Sequence, residues 1–116
     1  MVETRKFTPE DWQRSPGTWR GSLLGDIMGS DHSLVFYETD EIGNGPVLHI
    51  HPYAETFIVI EGRARYQIGE MVIEARAGDI LTGPADIPHK FTNLGPGRLR
   101  TVDIHHSPDW IQTNLE

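Results

Sequence analysis

A chain of 116 residues has room for one domain and one core, and with 37% hydrophobic residues and no cysteine that core must form without disulfides. A formal charge of −7 with no basic run argues against nucleic acid or anionic membrane as a partner. The longest run of large apolar residues, Phe57-Ile58-Val59-Ile60, is far too short to span a bilayer. The charged start Met1–Lys6 leads into no apolar segment, so a soluble, cytoplasmic protein is expected.

Taken in order, Thr8-Pro9-Glu10-Asp11 reads as a helix start, with Thr8 as N-cap and Pro9 in the first helical position. Gly17 and Gly21 limit that helix to a turn or two. Ser33–Thr39, rich in β-branched and aromatic residues, reads as a strand, and Val47–His51 as the next. Glu55–Glu61 separates Glu55, Phe57 and Val59 from Thr56, Ile58 and Ile60; both sets are largely apolar, so both faces need cover. Arg65–Ile68 and Met71–Glu74 flank Gly69-Glu70, a hairpin with Gly at the first turn position and with Ala64, Tyr66 and Ile68 as inward candidates. Ile80–Thr82 follows, then a rigid turn from Pro84 to Pro88. His89 opens a strand that carries Phe91 and Asn93 on its own face. In the last strand, Arg98–His106, the apolar residues suggest that Val102, Ile104 and His106 look inward, with Asp103 and His105 on the opposite face. Ser107-Pro108-Asp109-Trp110 repeats the cap-then-proline pattern and predicts a short closing helix. Many short strands with frequent turns, twelve Gly and eight Pro, indicate an all-β sandwich or barrel.

Four side chains carry the chemistry. His49 and His51, two apart on a strand, share a face. A turn signalled by Pro52 would return Glu55 toward them on the neighbouring strand, and His89 follows the later proline turn. Three imidazoles and a carboxylate converging on one point suit one divalent transition metal: Fe, Mn, Ni, Zn, Co or Cu, among which ligand type does not choose.

The spacing Gly43-x5-His49-x-His51-x3-Glu55-x6-Gly62, followed by Gly78-x5-Pro84-x4-His89-x3-Asn93, resembles the two motifs of the cupin superfamily at every fixed position but one. The exception is Asp86, where the family carries Gly. Asp is among the few residues that tolerate positive φ, so the departure leaves the fold in place and bears on the loop before His89. The resemblance implies a double-stranded β-helix, or jelly-roll barrel, with short terminal helical turns. A single domain would cover 1–116, with a motif-bearing core at about 33–106 and an N-terminal arm at 1–32. It also implies that His49, His51, Glu55 and His89 are metal ligands, and that the chain resembles homodimeric family members.

In a small barrel inward residues are both core and pocket wall, so Val47, Phe57, Val59, Phe91 and Ile104 are the expected lining. Tyr66 and His106 are the candidates for proton transfer. Trp12, Trp19 and Trp110 are expected to anchor the terminal segments. The resemblance fixes chemistry poorly. A metal-dependent enzyme acting on a small oxygenated molecule that chelates the metal is expected, a dioxygenase ahead of an isomerase, decarboxylase or lyase. The alternative is a small-molecule or sugar binding module without turnover.

Overall fold

The computed structural model describes residues 4–116, in which two five-stranded antiparallel sheets face each other. One sheet has the order β1-β2-β9-β4-β7: Gly21–Leu23, Ser33–Thr39, Leu99–His105, Glu55–Glu61 and Ile80–Gly83. The other runs β10-β3-β8-β5-β6: Thr113–Asn114, His49–Ile50, His89–Asn93, Arg63–Ile68 and Met71–Arg76. This is the double-stranded β-helix that the motifs imply. Two single-turn helices, α1 (Pro9–Trp12) and α2 (Gly25–Met28), lie in the N-terminal arm.

Local sequence accounts for the turns. Thr8 opens α1 as expected, its backbone N–H donating to Asp11 Oδ2 at 2.7 Å. Ile68 pairs with Met71 around Gly69-Glu70, and Gly69 holds φ 60°, so the hairpin turns on the residue that can. Gly62, between β4 and β5, combines φ 85° with a backbone so close that a Cβ would collide with the carbonyl oxygen of Arg98.

The core lies between the sheets. Phe57 and Val59 from β4, Ala64 and Tyr66 from β5, Phe91 from β8 and Leu99 from β9 are buried. Each large one contributes on the order of 1.5–3 kcal/mol by leaving water. Asn93 is buried with them and ties loops together, its amide donating to Gly97 O at 3.0 Å while Oδ1 accepts from the Gly95 N–H at 2.8 Å.

The face of β9 differs from expectation. In the ladder with β4, Glu55 pairs with His105, Phe57 with Asp103 and Val59 with Thr101. Residues directly opposite on neighbouring strands share a face. Because Glu55, Phe57 and Val59 point inward, Thr101, Asp103 and His105 do too, and all three are buried. Val102, Ile104 and His106 are on the outside. Their apolarity matches an outer surface that is itself apolar, where Val102 and Ile104 pair with Phe36 and Leu34 of β2.

The ends also differ. The closing helix does not form: Ser107 Oγ accepts the Asp109 N–H at 3.1 Å in a local turn, and the chain continues extended to pair Thr113 with Ile50 as β10. The strand expected over Val47–His51 keeps only His49–Ile50, while β1 and α2 arise in an arm whose sequence had indicated neither. Trp12 and Trp19 anchor that arm. Trp12 stacks on Phe36 at 3.8 Å, and Trp19 meets both rings edge-on at 5.4 Å. Among the described residues no helix is long and apolar enough to cross a membrane.

Candidate metal centre

Each ligand candidate is placed by a different element. His49 sits in β3 opposite His89 in β8, so the first two imidazoles face each other across one ladder, with ring centroids 4.4 Å apart. His51 follows β3 and Glu55 opens β4 in the other sheet. One ligand atom from each of the four lies within 4.8 Å of the others, and all four side chains are buried.

The hydrogen-bond pattern fits a cation. His49 Nδ1 lies 2.7 Å from Val47 O and His51 Nδ1 lies 2.8 Å from Ile111 O. A carbonyl only accepts, so both Nδ1 atoms carry the proton and both Nε2 lone pairs are free. His51 Nε2 and His89 Nε2 stand 3.2 and 3.1 Å from Glu55 Oε1. Yet all three atoms are buried without an aligned hydrogen-bond partner. They aim at a shared point rather than at one another, and leaving such atoms unpaired in an apolar barrel is costly. Burial lowers the pKa of His49, which favours the neutral, ligating ring. Burial works to raise that of Glu55, but the imidazoles of His105, His51 and His89 around it outweigh this and hold the carboxyl well below its ordinary value. The donor set fits a divalent metal of mixed nitrogen and oxygen preference.

Sequence reasoning missed His105. Its Nε2 lies 3.4 Å from Glu55 Oε1, its Nδ1 is 2.7 Å from the Tyr53 hydroxyl, and its ring stacks on Trp110 at 4.6 Å. The signal was available in the parity of β9: if Glu55 points inward, the residue paired with it does as well.

The centre borders a cavity of about 550 Å³, within the range usual for small-molecule sites. His49, Glu55 and His105 line it together with Val35, Tyr37, Phe91, Trp110 and Arg20. Of the expected lining, Phe91 holds its place. Phe57 is buried below the centre with its ring 5.1 Å from His89, and Val59 lies deeper in the core. Val47 is 44% exposed, because strand pairing begins only at His49, and Ile104 lies on the outer face. Neither belongs to the wall.

Both proton-transfer candidates are displaced as well. His106 is exposed, its Nε2 2.9 Å from Thr56 Oγ1 on the outside of the sheet. Tyr66 is fully buried between Phe57 and Phe91, away from the cavity wall; burial, with Asp103 and Glu55 nearby, pushes its hydroxyl far above the ordinary range. Trp110 does more than anchor a terminus, since it stacks on His105 and borders the cavity.

The family profile described as Cupin domain matches residues 36–105, which include all four ligand candidates and His105. The chain is a cupin. It is 39% identical over 109 residues to the Streptomyces cyaneus protein named polyketide synthase CurC, covering 93% of this chain and 69% of that one. A Klebsiella pneumoniae protein with a double-stranded β-helix domain, uncharacterised, superposes with a TM-score of 0.74 at 27% identity over 98% of this cupin and 99% of its own length. Bacillus subtilis oxalate decarboxylase, in a structure concerned with its Mn(II) centres, gives a TM-score of 0.75 at 20% identity. This cupin spans only 30% of that enzyme's chain, so the likeness is one of fold.

The position where this cupin departs from the family motif is built into the centre. Asp86 adopts φ 62°, the conformation for which the family carries Gly, and its N–H donates to His51 O at 2.9 Å. The turn before His89 is thereby tied to the backbone of a second ligand candidate. Gly83 plays a steric part: a Cβ there would press on the Phe57 ring at 2.9 Å and on His89 Nδ1 at 3.4 Å.

Proposed function

We propose that this cupin is a metal-dependent enzyme acting on a small, oxygen-rich organic molecule of polyketide type, bound as a chelate in the cavity. The observation that carries the reading is the set of buried, unpaired Nε2 and Oε1 atoms of His51, His89 and Glu55, gathered with His49 beside a cavity large enough for an organic ligand. Polyketides carry carbonyl and hydroxyl oxygens in the relative positions that chelate a divalent ion, and the similarity to a protein named for polyketide synthesis supports that substrate class.

His49, His51, Glu55 and His89 would hold the ion, leaving positions free in a five- or six-coordinate shell. When bound, it would supply Lewis-acid polarisation of substrate oxygens, or dioxygen chemistry if it is iron. The protein's own contribution is distinct. Val35, Tyr37, Phe91 and Trp110 exclude water from the substrate's flat faces, and His105, with the Tyr53 hydroxyl on its Nδ1, lines the cavity and orients Glu55 from beside it. A homodimer is part of the proposal, since Ile60 and Ile80 leave an apolar outer face beyond the reach of the arm's tryptophans.

Elemental analysis of protein purified without an affinity tag tests the metal, and product formation on a panel of aromatic hydroxyketones and diketones tests the chemistry. About one iron per chain would direct the assay to dioxygen uptake; manganese, nickel or zinc would direct it to isomerase or lyase reactions. His49→Ala should lose the metal and the activity while keeping the β-sheet circular dichroism spectrum. Retained metal and turnover in that variant would sink the assignment. Ligand binding without turnover for any metal would instead identify a binding module.

A further inference from the structure

The cavity bordered by the ligand candidates is also lined by the guanidinium of Arg20, which has no carboxylate partner among the described residues. Arg20 immediately precedes β1, and continuing the register Gly21↔Phe36 and Ser22↔Val35 sets it opposite Tyr37, on the inward face. Its guanidinium lies over the Tyr37 ring, 4.6 Å from the centroid, and its Nε–H donates to Glu38 O at 2.8 Å. Two contacts thus fix the plane of the fork, the Tyr37 side chain being its neutral neighbour, and among the described residues neither terminal nitrogen pairs with a carboxylate. Glu38, whose backbone oxygen holds Arg20, turns its carboxylate elsewhere: it accepts from the Trp19 N–H and from Arg100 Nε, each at 2.9 Å. Asp40 pairs with Arg98. Arg14 and Asp11 also line the cavity, but both are exposed, whereas Arg20 is half-buried. In a chain of net charge −7, an arginine oriented by stacking, bordering a cavity and lacking a carboxylate partner among the described residues is a prepared site for an anionic oxygen.

The spacing sets the size of the ligand. Tyr37 pairs with Thr101, four residues along β9 from His105, roughly 14 Å at the usual rise of a strand. Arg20 is a further two strands across, roughly 10 Å. Allowing for side-chain reach, its fork and the metal ligands are separated by a distance on the order of 10–15 Å. A fused-ring molecule with its substituents bridges that span, and Tyr37, Phe91 and Trp110 offer aromatic surface along it.

We propose that Arg20 is the anion-recognising end of the cavity, binding a carboxylate, phenolate or enolate oxygen of a fused-ring substrate whose opposite end chelates the metal. This rests on the chelate reading of the centre and adds a requirement to it: the substrate carries a negative charge remote from the chelating oxygens. Arg20 selects among substrates and takes no part in the bond changes.

The test uses cobalt(II)-loaded protein and two forms of one dihydroxyanthraquinone. Both have a peri hydroxy-ketone to chelate the metal at one end, with either a carboxylate or a hydroxymethyl group at the other. Calorimetry reports affinity, and the cobalt absorption bands report chelation. The native protein should bind the carboxylate form about tenfold or more tightly, as expected for a charge-assisted pair. Arg20→Gln should bring the two forms to within about twofold of each other, with metal content and circular dichroism unchanged. Arg20→Lys, which keeps the charge without the planar fork, should fall between them and decides the matter if the Gln variant misfolds. Absence of a preference in the native protein, its survival in both variants, or failure to bind either compound would overturn the proposal. Loss of the preference with unmoved cobalt bands would uphold Arg20 and refute the chelate reading. Shifted bands without any preference would do the reverse.

Discussion

Glu55 and His105 are partners across the β4–β9 ladder, and the Nε2 of His105 lies 3.4 Å from the same carboxylate oxygen that His51 and His89 approach. The Tyr53 hydroxyl is 2.7 Å from the other ring nitrogen, and burial raises its pKa, which keeps it a proton donor at neutral pH. With Tyr53 donating to Nδ1, the imidazole proton resides on Nε2 and faces Glu55. If His51 and His89 turn their lone pairs to an ion, His105 is the imidazole left to orient the carboxylate. Outer partners of this kind typically change metal affinity by 10–100-fold. His105→Asn should therefore weaken metal binding by about that factor in a chelator competition, and Tyr53→Phe by less, with both proteins folded. Unchanged affinity in His105→Asn would show that the contact is incidental, and a loss of several further decades would show that His105 is itself a ligand.

Metal should stabilise the fold. Binding to the native state alone adds about 2.7 kcal/mol when the free ion is a hundredfold above its dissociation constant. For a domain of this size that corresponds to a rise in Tm of about 10 °C. Differential scanning calorimetry of stripped and reloaded protein measures it, and the rise should vanish in His51→Ala. An equal rise in that variant would place the stabilising ion elsewhere.

The fold and the four-residue centre were legible because both are written in short-range patterns: a two-residue spacing on one strand, turns marked by Pro52 and Pro84, and glycines where φ must be positive. Asp86 illustrates how far such local reasoning reaches, since its φ of 62° is what the family's Gly would supply. The failures were long-range. Parity in β9 was judged from the apolarity of Val102 and Ile104, yet what decides it is pairing with Glu55, fifty residues away in sequence. Reading it the wrong way hid His105 and promoted His106. The C-terminal segment misled for a related reason. Ser107-Pro108 has the composition of a helix start, but pairing with β3 and the Ile111 carbonyl's contact with His51 hold the chain extended. Arg20 carries no motif at all, and its position follows only from the register of β1 on β2.

Asp103 gives a pH-dependent prediction. It is buried among Phe57, Thr101 and the Glu55 side of the barrel, and burial, reinforced by the Glu55 charge, raises its pKa well above the ordinary carboxylate value. Thr101 Oγ1 donates to Oδ2 at 3.2 Å, while Oδ1 has no partner. The folded protein thus holds a proton that the unfolded chain releases near pH 4. The native state binds more protons, so this group's contribution is full below the unfolded pKa and is lost as pH rises toward the folded one. Asp103→Asn keeps the shape and removes that loss. In urea titrations of metal-free protein it should gain stability relative to the native sequence from pH 5 to pH 8, by about 1–3 kcal/mol. A constant difference across that range would show that Asp103 is ionised in the fold.

The outer face of the β4 sheet yields the last expectation. Ile58 and Ile60 alternate outward on β4, Ile80 faces Ile58 from β7, and Val102 pairs with Ile58 from β9. Ile60 and Ile80 are 47% and 64% exposed, and the tryptophans of the arm cover Phe36 on β2 instead. A contiguous aliphatic surface of this kind is unusual on a free monomer and suits a symmetric contact with a second copy. Multi-angle light scattering should give twice the chain mass of 13.1 kDa. Ile58→Glu and Ile60→Glu together should shift it to the monomer while leaving metal content unchanged, because neither side chain faces the barrel interior. A native protein that is monomeric at tens of micromolar would remove the dimer from the proposal and leave the cavity, with all four ligand candidates from one chain, unaffected.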